Sequence, residues 1–446
     1  MWIERFDKKL KFINGLLNLS HQVMIVCGAR QVGKTAFVLN VLQSLKETPH
    51  VLINLLYPQQ ITIEGREYLG RNFVDPTGVQ LVENLRRYLS GKQVQGQPVY
   101  VFIDEVDHYP AIMEAVQYLA ELTDEFKFVF TGSNLENIQV KNAATGRKKY
   151  FDLYPITFGE FLANLSNKTF FDYYRDITID RQSDYFHQEL KKYFNIYVKI
   201  GGLPKIVDTY LENKEVDIPT LIKDLALTIE ENVKTILGEK AKIYEYEDVL
   251  RKLALLSMNT LKYSQLQVQH VSRGEAKRLV NKTVGARVVH KIRLYDDESR
   301  DLSKYLLFDC GMVNYLLNGS HLLTQQIPDK YLAIMYETFV GNELIALQTT
   351  RDDLYYWKSP NRAEVEFVLR APFLVGFDVK VNRGDNKSLY SFAIMEPDAK
   401  RIVKIGEHHL SLNKNAVAKL PHDPSTRSIH LLNLPHYLTA QWEKFV

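Results

Sequence analysis

Two cysteines in 446 residues, Cys27 and Cys310, are too few for a disulfide framework or for a zinc site of their own. Cys27 lies in an apolar run, where a buried thiol is the expected role. Long apolar runs are also missing. Val23–Cys27 and Val99–Ile103 fall far short of the roughly 18 residues that a membrane span needs. The N-terminus, MWIERFDKKL, is charged and amphipathic and lacks the apolar core and small-residue cleavage site of a secretory signal. No internal repeat and no low-complexity linker interrupts the chain. These absences lead to the expectation of a reduced, cytoplasmic setting with no membrane partner.

At this length two to four domains are expected. The net charge of +3 is unremarkable, but its distribution is not. Between Arg251 and Arg293 stand ten basic residues and a single acid, Glu275, an excess that would attract a polyanion. Residues Trp2–Leu19 read as an amphipathic helix. The short apolar or β-branched segments Val23–Cys27, Val51–Leu55, Val99–Asp104, Lys127–Thr131 and Tyr150–Tyr154 suit strands buried on both faces of a parallel sheet. Lys34–Lys46, Val79–Ser90 and Ala111–Thr123 carry helical spacing between them. The alternation predicts a layered α/β domain over residues 1–165. Ile61–Pro98 reads as an insertion with one helix. A helical lid is expected over 166–240, a winged-helix-like segment over 241–324, and an α/β domain over 325–446 with strand-like Leu354–Lys358, Glu364–Leu369 and Leu374–Val381.

Gly28-Ala29-Arg30-Gln31-Val32-Gly33-Lys34-Thr35 satisfies the P-loop pattern GxxxxGK[ST] at every fixed position, following an apolar strand and opening a helix. Such a loop wraps its backbone N–H groups round phosphates, and the following helix aims its positive end at them. Lys34 is expected to neutralise the β- and γ-phosphates, and the Thr35 hydroxyl to join a Mg²⁺ shell. The apolar strand Val99–Asp104 leads into the acidic pair Asp104-Glu105, the second half of the site. Asp104 is assigned to the magnesium side, and Glu105 to base or water-orienting work. Asp107 and His108 are assigned a solvated helix start. Ser133, at the end of a third apolar strand and with Asn134 close behind, is the candidate γ-phosphate sensor, although either residue also suits a helix N-cap. Arg147 is a candidate phosphate contact, in its own subunit or a neighbouring one, or a surface ion-pair partner. The pattern therefore points to an enzyme that binds and hydrolyses a nucleoside triphosphate. No GTP-reading NKxD motif follows: Asn281-Lys282 lacks the rest.

GARQVGKT, FIDEVDHYP, FTGSN, ATGRKKY, LYPITFGEFL and YVKIGGLP occur in this order. So do KYLLFDCGMVNYLL, YETFVGNELI, YYWKS, AEVEFVL and FDVK further on. Together they resemble a bacterial and archaeal family of predicted AAA-superfamily ATPases, over nearly the whole chain. The resemblance implies an ATP-dependent, AAA-like P-loop domain with an extra strand beside the P-loop strand. It also implies a winged-helix segment and a C-terminal domain of PD-(D/E)xK, restriction-endonuclease-like fold. It adds interest to Arg147, since a Gly-Arg pair recurs there. The chain departs from the pattern at Glu364-Val365-Glu366, where Glu-Val-Asp is usual, and at Asp378-Val379-Lys380, where Glu-Val-Lys is usual. Both changes keep a carboxylate and alter its reach.

Tyr263–Val268 and Ser272–Val284 fit a helix-turn-helix, with Val288–Tyr295 as a strand pair forming the wing. Lys277, Arg278, Lys282 and Arg287 would then lie near a nucleic-acid backbone. A solvated basic face, or a surface for an acidic protein, is the other reading. Glu366 and Asp378, with Lys380 and the preceding Glu337, resemble the magnesium site of the nuclease fold, although acid-then-DxK patterns are common by chance. The expectation is an ATPase whose nucleotide state governs DNA-facing modules and which self-associates through its ATPase domain. Two alternatives stand beside it: a nucleotide switch acting on protein partners with an inactive nuclease-like domain, and a protein-remodelling AAA ring.

Overall fold

The computed structural model describes residues 3–446. Excepted are 46–47, 91–95, 134, 136–137, 139–145, 213–216, 238–242, 267–271, 297–301, 319–326, 349–352, 361–362, 371, 382–383 and 421–422. The chain divides into two compact units. The first comprises Arg5–Tyr154 with Gly285–Arg287, and the second comprises the remainder.

In the first unit the elements run α1 (Phe6–Leu17), β1 (Val23–Cys27), α2 (Lys34–Ser44), β2 (His50–Asn54), β3 (Ile61–Ile63), β4 (Arg66–Tyr68) and α3 (Val79–Leu89). They continue with β5 (Val99–Asp104), α4 (Val116–Ala120), β6 (Phe126–Thr131) and β7 (Lys148–Asp152). Five strands pair in parallel in the order β2-β5-β6-β1-β7. Every residue of β1, β5 and β6 is buried, which is why these segments are largely apolar rather than alternating, Lys127, Thr131 and Asp104 being the polar exceptions. Each fully buried Phe, Ile or Val side chain contributes about 1.5–3 kcal/mol. The packed strands thus hold their C-terminal ends firmly in place. β6, between β1 and β5, is the extra strand beside the P-loop strand that the resemblance implies, and β7 adds another on the far side of β1. The insertion after β2 holds more than its expected helix, because β3 and β4 form a short antiparallel hairpin before α3.

The second unit begins with helices α5 (Phe158–Ala163), α6 (Thr169–Asp176), α7 (Asp184–Ile200), α8 (Pro204–Leu211), α9 (Ile218–Leu237), α10 (Ile243–Leu255) and α11 (Arg273–Gly285). Thr157 and Glu160 form a reciprocal capping box that starts α5. Then come β8 (Val289–Leu294), β9 (Ser303–Leu307), α12 (Cys310–Asn318), α13 (Asp329–Leu347), β10 (Leu354–Lys358), β11 (Glu364–Leu369), β12 (Val375–Val379) and α14 (Lys387–Met395). The unit ends with β13 (Arg401–Gly406), β14 (Ser411–Leu420), β15 (Asp423–Pro435) and 3₁₀ turns over His436–Phe445. Phe158, Phe194, Tyr197 and Phe339 meet edge to face, joining α5, α7 and α13.

The eight strands of this unit form one mixed sheet, β14-β15-β13-β12-β11-β10-β8-β9. Two expectations change here. Val288–Tyr295 is not a strand pair but contains the single strand β8, whose antiparallel partner is β9. The boundary expected at 324/325 is crossed by the sheet, since β8 also pairs in parallel with β10. The reason is non-local pairing, which hydropathy along the chain does not encode. Val268 of the expected helix-turn-helix lies outside the described residues; Tyr263–Leu266 forms a 3₁₀ turn and α11 follows.

Candidate functional site

Gly28 leaves β1 at φ +156°, and a Cβ there would run into the Leu153 carbonyl oxygen, so the loop's first position tolerates only glycine. Gln31 and Gly33 adopt left-handed φ values of +69° and +83°, turning the chain into α2. No side chain caps α2, so its first N–H groups face the loop, equivalent to about half a positive charge. Ala29 and Val32 are buried as packing residues, while Arg30 is half-buried beside Glu105.

Lys34 is buried, and its ammonium donates to the carbonyl oxygens of Gly28 at 3.0 Å and Ala29 at 2.8 Å. Burial lowers its pKa to about 8, opposed by the charges of Asp107, Glu105 and Asp104. The β2–β5 and β5–β6 pairings bring the end of β5 to the loop. There the Thr35 hydroxyl donates to Asp104 Oδ2 at 2.9 Å, and the Glu105 amide donates to Oδ1 at 2.9 Å. Thr131 Oγ1 also donates to Oδ1. Burial pushes Asp104 above the usual carboxylate range, and the Thr131, Thr35 and Glu105 donors oppose it.

Glu105 has φ +55° and departs from the strand immediately after Asp104. Its carboxylate, a third exposed, stands 3.8 Å from His108 Nε2. Burial, then the Asp104 and Asp107 charges, raise its pKa. Ser133 Oγ lies 3.4 Å from Lys34 Nζ; Asn134 lies outside the described residues. Lys34, Thr35, Asp104, Glu105 and Ser133 are therefore brought together. The sequence reading missed Thr131, marked by its polar character at the end of an apolar strand. Asp107 and His108 do start a short 3₁₀ turn after β5, but the half-buried Asp107 carboxylate also accepts the Ser133 amide at 2.5 Å, a contact the sequence did not announce.

Arg147 is not at this site. Its carbonyl accepts the N–H of Val23 at the start of β1, whereas the loop leaves the other end of that five-residue strand, about 16 Å away. Its guanidinium pairs with Glu121 at 2.5 Å. Arg287, at φ +61°, belongs to the first unit and pairs with Asp152 at 3.7 Å, its side chain only 16% exposed. Lys277 and Arg278 are exposed on α11, with Lys277 over the Tyr263 ring and Arg278 4.0 Å from Glu275; Lys282 is half-buried.

In the second unit β11 carries one extra residue between Val365 and Val368, a bulge next to Glu366. Glu366 Oε2 accepts the Val379 amide at 3.3 Å, and Lys380 Nζ pairs with Asp378 Oδ1 at 2.9 Å. Asp378 is 1% exposed, and its Oδ2 has no hydrogen-bond partner. Burial and the neighbouring Asp378 and Glu337 charges push Glu366 well above the carboxylate range. Burial raises Glu337 to about 7, with Lys304 opposing. Lys304, overlooked in the sequence, is buried in β9 and pairs with Glu364. Among the described residues no three His, Cys, Asp or Glu side chains converge so as to hold a metal ion. The fit to a nuclease magnesium site is thus incomplete, whereas Thr35 and Asp104 fit the shell of a nucleotide-bound Mg²⁺.

Residues 20–162 match the family model of an AAA domain. Residues 191–322 and 333–422 match two families described as domains of unknown function, DUF8612 and DUF4143. An uncharacterized protein of Methanocaldococcus jannaschii is 26% identical over 262 residues, covering 57% of this chain and 48% of that relative's length. The chain is also similar to the Aeropyrum pernix ORC1 protein solved in complex with DNA, at 10% identity and a TM-score of 0.28, over 71% of this chain and 92% of that one. It is similar to Drosophila ORC bound to DNA, at 12% identity and a TM-score of 0.24, over 70% and 85%. C. elegans PCH-2 gives 14% identity and a TM-score of 0.24, over 42% and 55%. Scores this low carry no argument about function. The AAA-domain match, with the loop geometry, supports nucleotide binding and hydrolysis. No helix among the described residues is long and apolar enough to cross a membrane.

Proposed function

We propose that the chain is a cytoplasmic, Mg²⁺-dependent ATPase and that duplex DNA, met by the basic face of α11, modulates its turnover. The observation that carries the first part is the convergence of Lys34, Thr35, Asp104 and Glu105 at one loop. The loop amides and the start of α2 bind the phosphates, and Lys34 exchanges the Gly28 and Ala29 carbonyls for phosphate oxygens. Thr35 and Asp104 would hold Mg²⁺, which would supply charge neutralisation for the phosphates. Glu105 orients water and accepts its proton, a role suited to a carboxylate whose burial raises its proton affinity. Ser133 donates toward the terminal phosphate. Arg147 has no route to the phosphates of its own chain, so any part it plays in hydrolysis is on a neighbouring copy in a homo-oligomer.

The DNA reading rests on the exposed Lys277 and Arg278 and on the ten basic residues of 251–293. Steady-state ATP turnover with and without duplex DNA, at two salt concentrations and alongside Lys277→Ala with Arg278→Ala, tests it. Stimulation that falls with salt and with the paired substitution supports DNA coupling. Turnover indifferent to DNA leaves the ATPase and transfers the α11 face to a protein partner. For the C-terminal sheet a second reading is a docking module rather than a nuclease, since among the described residues no three His, Cys, Asp or Glu side chains converge so as to hold a metal ion.

A further inference from the structure

No step of the proposed hydrolysis uses Asp107, yet this side chain is built into the site. It belongs to the 3₁₀ turn Val106–His108 that follows β5, and Glu105, in its left-handed conformation, reverses the chain just before it. Asp107 Oδ2 accepts the backbone N–H of Ser133 at 2.5 Å, linking the end of β5 to the loop after β6. The approach requires Gly132: a Cβ there would lie 3.1 Å from both Asp107 carboxylate oxygens and 2.6 Å from Leu135 Cδ2. Ser133 in turn places its hydroxyl 3.4 Å from Lys34 Nζ. A chain of contacts thus runs from Asp107 through Ser133 to the phosphate-binding lysine.

We propose that Asp107 is a positioning residue of the ATPase site, holding the loop after β6 so that the Ser133 hydroxyl is set against Lys34 before nucleotide arrives. The inference rests on the ATPase reading above. A charge-assisted hydrogen bond to a loop amide is the strong kind, and it acts on a segment that has just left the sheet's own ladder. Misplacing a phosphate-facing donor by about 1 Å costs on the order of 100-fold in rate. Binding, dominated by the loop amides and Lys34, is left nearly intact.

The test compares wild type, Lys34→Ala, Asp107→Ala, Asp107→Asn and Gly132→Ala for ATP turnover, KM, affinity for a fluorescent ATP analogue and melting temperature. Asp107→Ala is expected to lower kcat by roughly 10- to 100-fold with KM and affinity little changed. Asp107→Asn keeps an acceptor oxygen for the Ser133 amide and restores most of kcat. Gly132→Ala, which pushes the carboxylate away, reproduces the alanine loss. Equal losses in the asparagine and alanine variants overturn positioning, as does an unchanged kcat in Asp107→Ala. If that variant does not fold, Asp107→Asn and Gly132→Ala decide the matter: retained turnover in the first with loss in the second supports the inference, and any other pairing overturns it. Wild-type turnover absent, or insensitive to Lys34→Ala, overturns the ATPase reading and this inference together. Turnover that needs Lys34 but ignores Asp107 overturns this inference alone.

Discussion

The molecule carries two clusters of carboxylates with lysine, and they differ in how far each is assembled. At the P-loop, Asp104 receives hydrogen bonds from Thr35, Thr131 and the Glu105 amide, and Lys34 is held by loop carbonyls. In the C-terminal sheet, Glu366 lies close to Asp378, one Asp378 oxygen has no donor, and Lys380 reaches only the other. The first cluster has its donors in place for an anionic substrate and a cation. The second has fewer donors, Lys380 on one Asp378 oxygen and the Val379 amide on Glu366. Carboxylates on adjacent strands are therefore not enough to make a site; the donors around them decide.

The largest expected effect breaks the comparison at its stronger side. Glu105→Gln should lower ATP turnover by roughly 10²- to 10⁴-fold while nucleotide affinity persists, measured by steady-state release of phosphate and by equilibrium binding. Loss of binding with turnover would reassign Glu105 to the cradle.

A third carboxylate sharpens the point about donors. Asp309 is 2% exposed and accepts the Gly202 and Met312 amides at 2.7 and 2.9 Å, yet burial still raises its pKa to about 6, with those backbone donors opposing. Its folded pKa is above the unfolded value of about 3.9, so its stabilising contribution is full below about pH 4 and is lost as pH rises through about 6. The stability difference between wild type and Asp309→Asn should fall by about 2–3 kcal/mol between pH 4 and pH 7, followed by denaturant unfolding. A flat difference would mean that the amides balance burial, and a difference that rises with pH that they outweigh it.

The smallest effect probes the weaker cluster. Asp378→Asn gives the orphaned position a donor toward Glu366 and should raise unfolding free energy by about 1 kcal/mol at neutral pH. Thermal denaturation with and without Mg²⁺ or Mn²⁺ checks this. Metal stabilisation of the wild type that the variant loses would restore a metal site, and duplex nicking abolished by Lys380→Ala would make it a nuclease.

Much of the first unit was legible because its signals are local. The strands Val23–Cys27 and Val99–Asp104 stand where their apolar runs predict, and the loop between Gly28 and Thr35 is contiguous in sequence. The second unit was less legible. Val288–Tyr295 has the composition of a strand, but its partners, Ser303–Leu307 and Leu354–Lys358, lie on either side of the expected domain boundary. The β11 bulge beside Glu366 arises from register against β10 and leaves no mark in its alternating Glu364-Val365-Glu366-Phe367 pattern.

By itself the sequence determined the phosphate cradle, since glycine, lysine and threonine at fixed spacing after an apolar strand dictate a loop of inward N–H groups. It also determined the acidic strand end of β5 and the burial of that strand on both faces. Only the tertiary structure decided that Thr131 and Thr35 share Asp104, that Asp107 reaches Ser133, and that Arg147 stands at the far end of the strands. The physical reason is that backbone periodicity is set by neighbours a few residues away. Strand order and register are set by the packing of side chains distant in sequence, and these choose which side chains meet at the strand ends.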